Sequence, residues 1–141
     1  MNYWTPVLLL IASNVIYNVC SKSTPSGINP LAMLTIVYLI GAILAGVLYY
    51  TVGDSSESLL EQYKHLNWAG ILMGFSIVGL EAGSIYMYKA GWDISVGFMV
   101  SSTVVALSLA IIGALIYKEQ ITLTKVSGML VCLVGLFLIN K

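Results

Sequence analysis

Residues 94–117 read ISVGFMVSSTVVALSLAIIGALIY and contain no charged side chain. Two further charge-free runs cover Met1–Ser21 and Ser23–Gly53. The hydrocarbon core of a bilayer is about 30 Å thick, so a helix that spans it needs about 20 apolar residues. Over the whole chain 59% of the residues are hydrophobic and 9% are charged, whereas a soluble domain carries about 25% charged residues. The sequence therefore predicts an all-α integral membrane protein.

Charges and helix breakers divide the chain into five predicted transmembrane helices, at about 3–21, 30–52, 66–88, 94–117 and 124–140. Pro25 and Pro30 end the first segment. That segment lacks the basic region and the cleavage site of a secretory signal, so we expect a retained helix. Asp54 and Glu57 have the spacing of a capping box, which predicts a short interfacial helix in the polar loop. We expect one membrane domain over residues 1–141.

Polar side chains form stripes on several of these helices. Residues three or four positions apart share one face of a helix, and polar groups in lipid need partners within the protein. The stripes consist of Asn14, Tyr17, Asn18 and Ser21 on the first helix, Glu81, Ser84 and Tyr88 on the third, and Ser101 and Ser108 on the fourth. We expect the two amides to line a polar cavity. For the serines and the last tyrosine, interhelical hydrogen bonding that only holds the bundle together is the alternative.

Glu81 interrupts the apolar sequence SIVGLEAGSIYMYKAG, residues 76–91. Burying a charged acid near the bilayer centre costs about 2.5–3.5 kcal/mol, and desolvation disfavours the charged form of a carboxyl group. Glu81 is therefore predicted to bind a proton or a cation in the central cavity, together with Asn14 and Asn18. A structural glutamate that is neutral, or that is paired with Lys22, is the alternative.

The sequence contains no motif that predicts catalysis or metal binding. His65 is the only histidine, and the signatures of zinc proteases, serine hydrolases and phosphate-binding loops do not occur. Cys20 and Cys132 lack the spacing of a disulfide or a metal site. We expect no enzymatic activity, no cofactor, no bound metal and no nucleic-acid partner.

Residues 88–140 resemble the C-terminal part of an EamA domain of the drug/metabolite transporter superfamily. The turn YKEQIT, residues 117–122, is similar to that family's Gly-Glu-Arg-hydrophobic-Ser/Thr signature in Glu119 and Thr122, with Lys118 in place of glycine. The segment SNVIYNVCSK, residues 13–22, resembles the first-helix motif of the family, which ends in a lysine, here Lys22. The resemblance implies one EamA-type repeat of five helices in the cytoplasmic (inner) membrane. We include Lys22 among the candidate substrate-binding residues.

The four-helix small multidrug resistance family of the same superfamily is also similar. Its coupling glutamate lies on the first helix, at the position that Asn14 occupies here. Because asparagine does not titrate, the sequence argues against proton-coupled multidrug export and leaves Glu81 as the only acid deep in the bundle. The last helix lies in the dimer interface of those relatives. We therefore expect a stripe of small residues on the last helix to lie at a dimer interface, where small side chains permit close approach. The stripe consists of Gly128, Cys132 and Gly135.

Most EamA proteins fuse two five-helix repeats that are inverted with respect to each other, with the substrate between them near the midplane. One such repeat is present here, so the resemblance implies a homodimer. We expect it to transport small metabolites, or cationic or zwitterionic compounds, by alternating access. A non-transporting membrane subunit that scaffolds a larger complex is one alternative, and a small channel is another.

The lysines give little information about orientation, which is set mainly by an excess of Lys and Arg in cytoplasmic loops. The five predicted spans place three lysines on each side of the membrane, and the chain has no arginine. The two sets are Lys64, Lys118 and Lys125 on one side, and Lys22, Lys89 and Lys141 on the other. This balance favours insertion in both orientations and an antiparallel dimer, with chance balance as the alternative.

Overall fold

The computed structural model describes residues 3–53, 57–120 and 122–139, and the regular secondary structure of these residues is helical throughout. Six α-helices follow one another: α1 (Thr5–Lys22), α2 (Pro30–Thr51), α3 (Leu59–Gln62), α4 (Trp68–Lys89), α5 (Ile94–Leu115) and α6 (Leu123–Ile139). The five long helices begin and end within two residues of the predicted bounds. The remaining α-helix of the described residues is the four-residue helix α3, which lies in the polar loop where a short helix is predicted.

Three of these helices, α2, α4 and α5, are long and apolar enough to cross a membrane, and α6 is a shorter apolar helix. The rest of the chain buries only 6% of the most apolar window of α2, 11% of that of α4 and 6% of that of α5. Apolar surface that the chain itself leaves uncovered requires an apolar solvent. The helices therefore support a multi-pass membrane protein, and the number of five spans stays a prediction.

The helices pack into two compact units. In the first unit α5 packs against both α1 and α6. The second unit contains α2, α3 and α4, and its main contact joins α2 to α4. The single domain predicted over residues 1–141 stays a prediction.

In the second unit α2 and α4 run antiparallel, and Lys89 fixes their relative position. At the last turn of α4 the Lys89 ammonium donates hydrogen bonds to the carbonyl oxygens of Ile28 (2.6 Å) and Ser26 (3.4 Å), just before α2 begins. The most buried apolar side chains of the described chain lie near this end of the pair. They are Leu34 on α2, 3% exposed, and Ile85 and Tyr88 on α4, 2% and 4% exposed.

Local hydrogen bonds explain where α2 begins. The side-chain oxygen of Asn29 accepts a hydrogen bond from the N–H of Leu31 at 2.9 Å, which satisfies one of the free donors in the first helical turn. Pro30 occupies the first helical position, where the N–H that proline lacks has no partner in any helix. These two residues therefore define the start of α2.

The loop helix α3 is capped by Ser58 rather than by the predicted residue, Asp54. The Ser58 hydroxyl accepts a hydrogen bond from the Glu61 N–H, and the Glu61 carboxylate accepts one from the Ser58 N–H, both at 3.4 Å. This reciprocal pair is a capping box. Asp54, the predicted cap, lies outside the described residues. Glu57, its predicted partner, instead accepts a hydrogen bond from the Gln62 side chain at 2.8 Å.

The connection from α5 to α6 turns at Lys118, which has a φ of 53°. This left-handed conformation favours glycine, because a Cβ crowds the following carbonyl oxygen there. The turn brings the N–H groups of Tyr117 (3.1 Å) and Glu119 (3.0 Å) onto the same Gly113 carbonyl oxygen. Glycine, which the EamA signature that this turn resembles has at this position, adopts the conformation without strain.

Candidate functional site

Glu81 lies on α4 within the second unit and is half-buried. It shares one helix face with Ile85 and Tyr88, four and seven residues further along the chain. Its Oε2 atom is buried and makes no short, well-aligned hydrogen bond within the described residues. The hydroxyl of Tyr38 on α2 is the side-chain group that interacts with the carboxyl. The antiparallel pair α2–α4 thus places a phenol beside an acid in an apolar span.

The depth of this pair follows from helix geometry. Glu81 precedes the end of α4 at Lys89 by eight residues, and Tyr38 follows the start of α2 at Pro30 by eight residues. At a rise of about 1.5 Å per residue, both lie about 12 Å from the end of the pair that Lys89 holds together. The two side chains can therefore meet because the helices run antiparallel in this register.

Sequence reasoning missed Tyr38 as a candidate. A signal was present, because Thr35 and Tyr38 are the polar side chains within an otherwise apolar stretch of α2. Thr35 donates a hydrogen bond from its hydroxyl to the Ala32 carbonyl oxygen of its own helix, at 2.7 Å. Tyr38 instead reaches a side chain of another helix. Tyr38 reaches Glu81 because of the register between α2 and α4, which the sequence does not reveal.

Asn14 and Asn18 lie on α1 in the first unit and are linked by their side chains. The Asn18 amide nitrogen donates to the Asn14 backbone carbonyl at 2.8 Å and lies 3.5 Å from its side-chain oxygen. Both asparagines line a pocket of about 420 Å³ between α1 and α5, whose other walls include Phe98 and Met99. The pocket is thus small and mostly apolar, with two amides on one wall. Such a pocket suits a compact or mostly apolar molecule that carries one polar group.

Tyr17 and Lys22 lie on the same helix but have different surroundings. The Tyr17 hydroxyl is buried. The Lys22 ammonium donates a hydrogen bond to the Trp92 carbonyl oxygen at 2.6 Å, in the turn between α4 and α5. Gly91 in that turn has a φ of 98°, which glycine adopts without strain. Lys22 therefore holds a turn of its own unit.

The predicted serines donate their hydrogen bonds within their own helices. Ser84 donates to the Leu80 carbonyl oxygen at 2.9 Å, and Ser101 lies 2.9 Å from the Gly97 carbonyl oxygen and 3.1 Å from that of Phe98. A hydroxyl bonded in this way keeps its acceptor lone pairs but has its proton engaged.

The predicted site residues therefore belong to two units. Asn14, Tyr17, Asn18, Lys22 and Ser101 lie in the first. Glu81, Ser84 and Tyr88 lie in the second, together with Tyr38. A shared cavity formed by Glu81 with the two asparagines stays a prediction.

On α6, Gly128 and Cys132 line a groove against α5 that has a volume of about 840 Å³. Gly135, the third member of the predicted dimer stripe, is not among the residues that line this groove. The role of the stripe as a dimer interface stays a prediction. Within the described residues, no cluster of three His, Cys, Asp or Glu side chains could hold a metal ion.

Comparison with known proteins gives one result. A family model described as the EamA-like transporter family matches residues 4–141. No curated protein and no solved structure matches the chain.

Proposed function

We propose that the chain, which belongs to the EamA-like transporter family, is a secondary-active transporter whose ion-binding group is Glu81. As a member of this family, it is a multi-pass membrane protein of the drug/metabolite transporter superfamily, which carries small molecules across a bilayer. We place it in the cytoplasmic membrane. Its proposed cargo is a small metabolite or a compact cationic or zwitterionic compound.

The observation that carries this proposal is the carboxyl of Glu81 beside the Tyr38 hydroxyl, on two helices that are apolar enough to cross a membrane. A charged acid in a membrane span is unfavourable by about 2.5–3.5 kcal/mol unless it has a compensating partner or task. One phenol can donate one hydrogen bond to the carboxylate. The remaining oxygen lone pairs are then free for a proton or a cationic group of the cargo, and binding of either neutralises the charge.

The amide pocket supports the proposed cargo class. Asn14 and Asn18 present carbonyl and amide groups on the wall of a pocket that is otherwise mostly apolar. Its volume of about 420 Å³ is near the lower end of the range of about 300–1,000 Å³ for small-molecule sites. Amides both donate and accept hydrogen bonds, so a compact molecule with an ammonium or carboxylate group suits this pocket.

We further propose that two copies in opposite orientations form the working transporter. The balanced lysines of the predicted loops favour no orientation. An antiparallel pair would reproduce the inverted repeats from which alternating access is built in related transporters. Gly135, which lies outside the groove that Gly128 and Cys132 line, is the proposed contact residue of this dimer on α6.

The alternative is a non-transporting membrane subunit, and one contact favours it. Lys22 holds a turn of its own unit through the Trp92 carbonyl oxygen, as expected of a residue that only stabilises the bundle. The experiment that separates the two functions uses the purified protein alone in proteoliposomes on a solid-supported membrane. A panel of amines, amino acids and other zwitterions is applied in sequence.

A transporter gives a current or a counterflow signal that saturates with the concentration of at least one compound. A subunit that needs a larger complex moves no compound on the panel, and a channel conducts without saturation or counterflow. Empty liposomes and liposomes that hold an unrelated membrane protein are the controls.

A further inference from the structure

The groove between α5 and α6 has features that the transport proposal does not use. Its walls are made of small and apolar side chains, among them Ala106, Ala110 and Gly113 on α5 and Gly128 and Cys132 on α6. Its volume is about 840 Å³. Because both helices belong to one unit, the groove is a property of a single copy of the chain.

One end of the groove is polar and carries both signs of charge. Tyr117, Glu119, Gln120 and Lys125 line it at the turn between the helices. The Glu119 carboxylate folds back over the end of α5, so that a Cβ at Gly113 would lie 3.0 Å from its Oε2. The Lys125 ammonium donates to the Gln120 carbonyl oxygen at 3.2 Å. Glu119 and Lys125 thus both lie at the mouth of one apolar groove, and both are exposed.

The length of the groove matches one leaflet of a bilayer. The residues that line it on α5 run from Ser102 to Gly113, which is about 16 Å of helix at about 1.5 Å per residue. Half of a hydrocarbon core of about 30 Å is about 15 Å. The groove therefore reaches from the polar turn to about the depth at which one acyl chain ends.

We propose that this groove binds a membrane phospholipid whose head group carries a primary ammonium, such as phosphatidylethanolamine. The acyl chain lies along the small residues of α5 and α6. Lys125 binds the phosphate, and the Glu119 carboxylate accepts hydrogen bonds from the ammonium. This arrangement pairs each charge at the mouth of the groove with the opposite charge of the head group. The small side chains of the groove leave room for the acyl chain to lie close to the helix backbones.

The head-group chemistry discriminates between common lipids. A primary ammonium has three N–H donors, as in lysine, whereas a choline head group has none and a glycerol head group has no positive charge. The carboxylate of Glu119 therefore favours the primary amine. Lys125 attracts the phosphate that all three head groups share.

The test is native mass spectrometry of the full-length protein, purified in detergent and titrated with dioleoyl phospholipids bearing ethanolamine, choline or glycerol head groups. The wild-type protein should bind the ethanolamine lipid at least tenfold more tightly than the other two. Glu119→Gln should remove this preference and leave binding of the choline lipid unchanged, which also shows that the variant is folded. Lys125→Ala should weaken binding of all three lipids. Glu61→Gln and Lys118→Ala, which change charges outside the groove, serve as matched controls and should bind as the wild type does.

Ala110→Phe tests the groove itself, because the larger side chain fills it. This variant should lose the tight site for the ethanolamine lipid. Equal binding of the three lipids by the wild-type protein would overturn the proposal, as would an unchanged preference in Glu119→Gln. If Ala110→Phe instead abolishes dimerisation and leaves lipid binding intact, a second copy of the chain occupies the groove and the proposal is wrong.

Discussion

Replacing Lys118 by glycine should stabilise the protein. Lys118 holds a φ of 53° between α5 and α6, a conformation that costs a residue with a Cβ about 1–2 kcal/mol. Glycine adopts it freely but gains freedom in the unfolded chain, which offsets about 0.5–1 kcal/mol. The expected net gain in the free energy of unfolding is about 0.5–1 kcal/mol, or about a two- to fivefold change in the unfolding equilibrium constant.

The assay is equilibrium unfolding in mixed detergent micelles, followed by far-ultraviolet circular dichroism. Lys118→Ala is the matched control, since alanine removes the same charge but keeps the Cβ and therefore the strain. It should change the free energy of unfolding by no more than about 0.5 kcal/mol, as is usual for a surface substitution. If glycine and alanine stabilise the protein equally, the gain comes from removing the charge, and the left-handed conformation of Lys118 is not its cause.

Three further predictions concern the bundle and its assembly. Lys89→Met should lower the free energy of unfolding by about 1 kcal/mol, because it removes the hydrogen bond to the Ile28 carbonyl oxygen. An unchanged unfolding curve would mean that this hydrogen bond does not stabilise the protein. Gly135→Leu should weaken dimerisation in detergent, measured by size-exclusion chromatography with light scattering, and a variant that stays fully dimeric would place the interface elsewhere. Single cysteines placed at Gly27 and within residues 57–65, in a background without the native cysteines, should each be labelled from outside the cell in about half of the molecules, as expected for a chain without a lysine bias. Labelling at one site alone would mean a single orientation.

The positions of the long helices could be predicted because a helix that crosses the hydrocarbon core of a bilayer needs a long, predominantly apolar sequence. Charged residues and prolines are rare within apolar spans, so Pro30, Lys89 and Asp93 mark helix ends in the sequence as they do in the structure. In the polar loop, capping-box spacing alone did not identify the residue that caps the helix. The capping-box spacing of Asp54 and Glu57 competes with that of Ser58 and Glu61, and the second pair forms the cap.

The partners of the predicted site residues were harder to predict, because they depend on how helices pack. Glu81 was identified from its burial cost alone, but its neighbour Tyr38 depends on the antiparallel register that Lys89 helps to fix. Lys22 donates a hydrogen bond to the Trp92 carbonyl oxygen, a backbone group that no sequence pattern reveals, and its role in substrate binding stays a prediction. In the sequence, the left-handed conformation of Lys118 was indicated only by the lysine that replaces the glycine of the EamA signature.

The most direct test of the central claim is substrate-driven transport by Glu81→Gln in proteoliposomes across a pH series. Glutamine keeps the size and polarity of the side chain but binds neither a proton nor a cation as a carboxylate does, so we expect a folded, dimeric variant that has lost at least nine-tenths of coupled transport. Glu61→Gln on the loop helix α3 is the matched control and should transport as the wild type does. Transport by Glu81→Gln at the wild-type rate, with the same dependence on pH, would mean that Glu81 is not the ion-binding group.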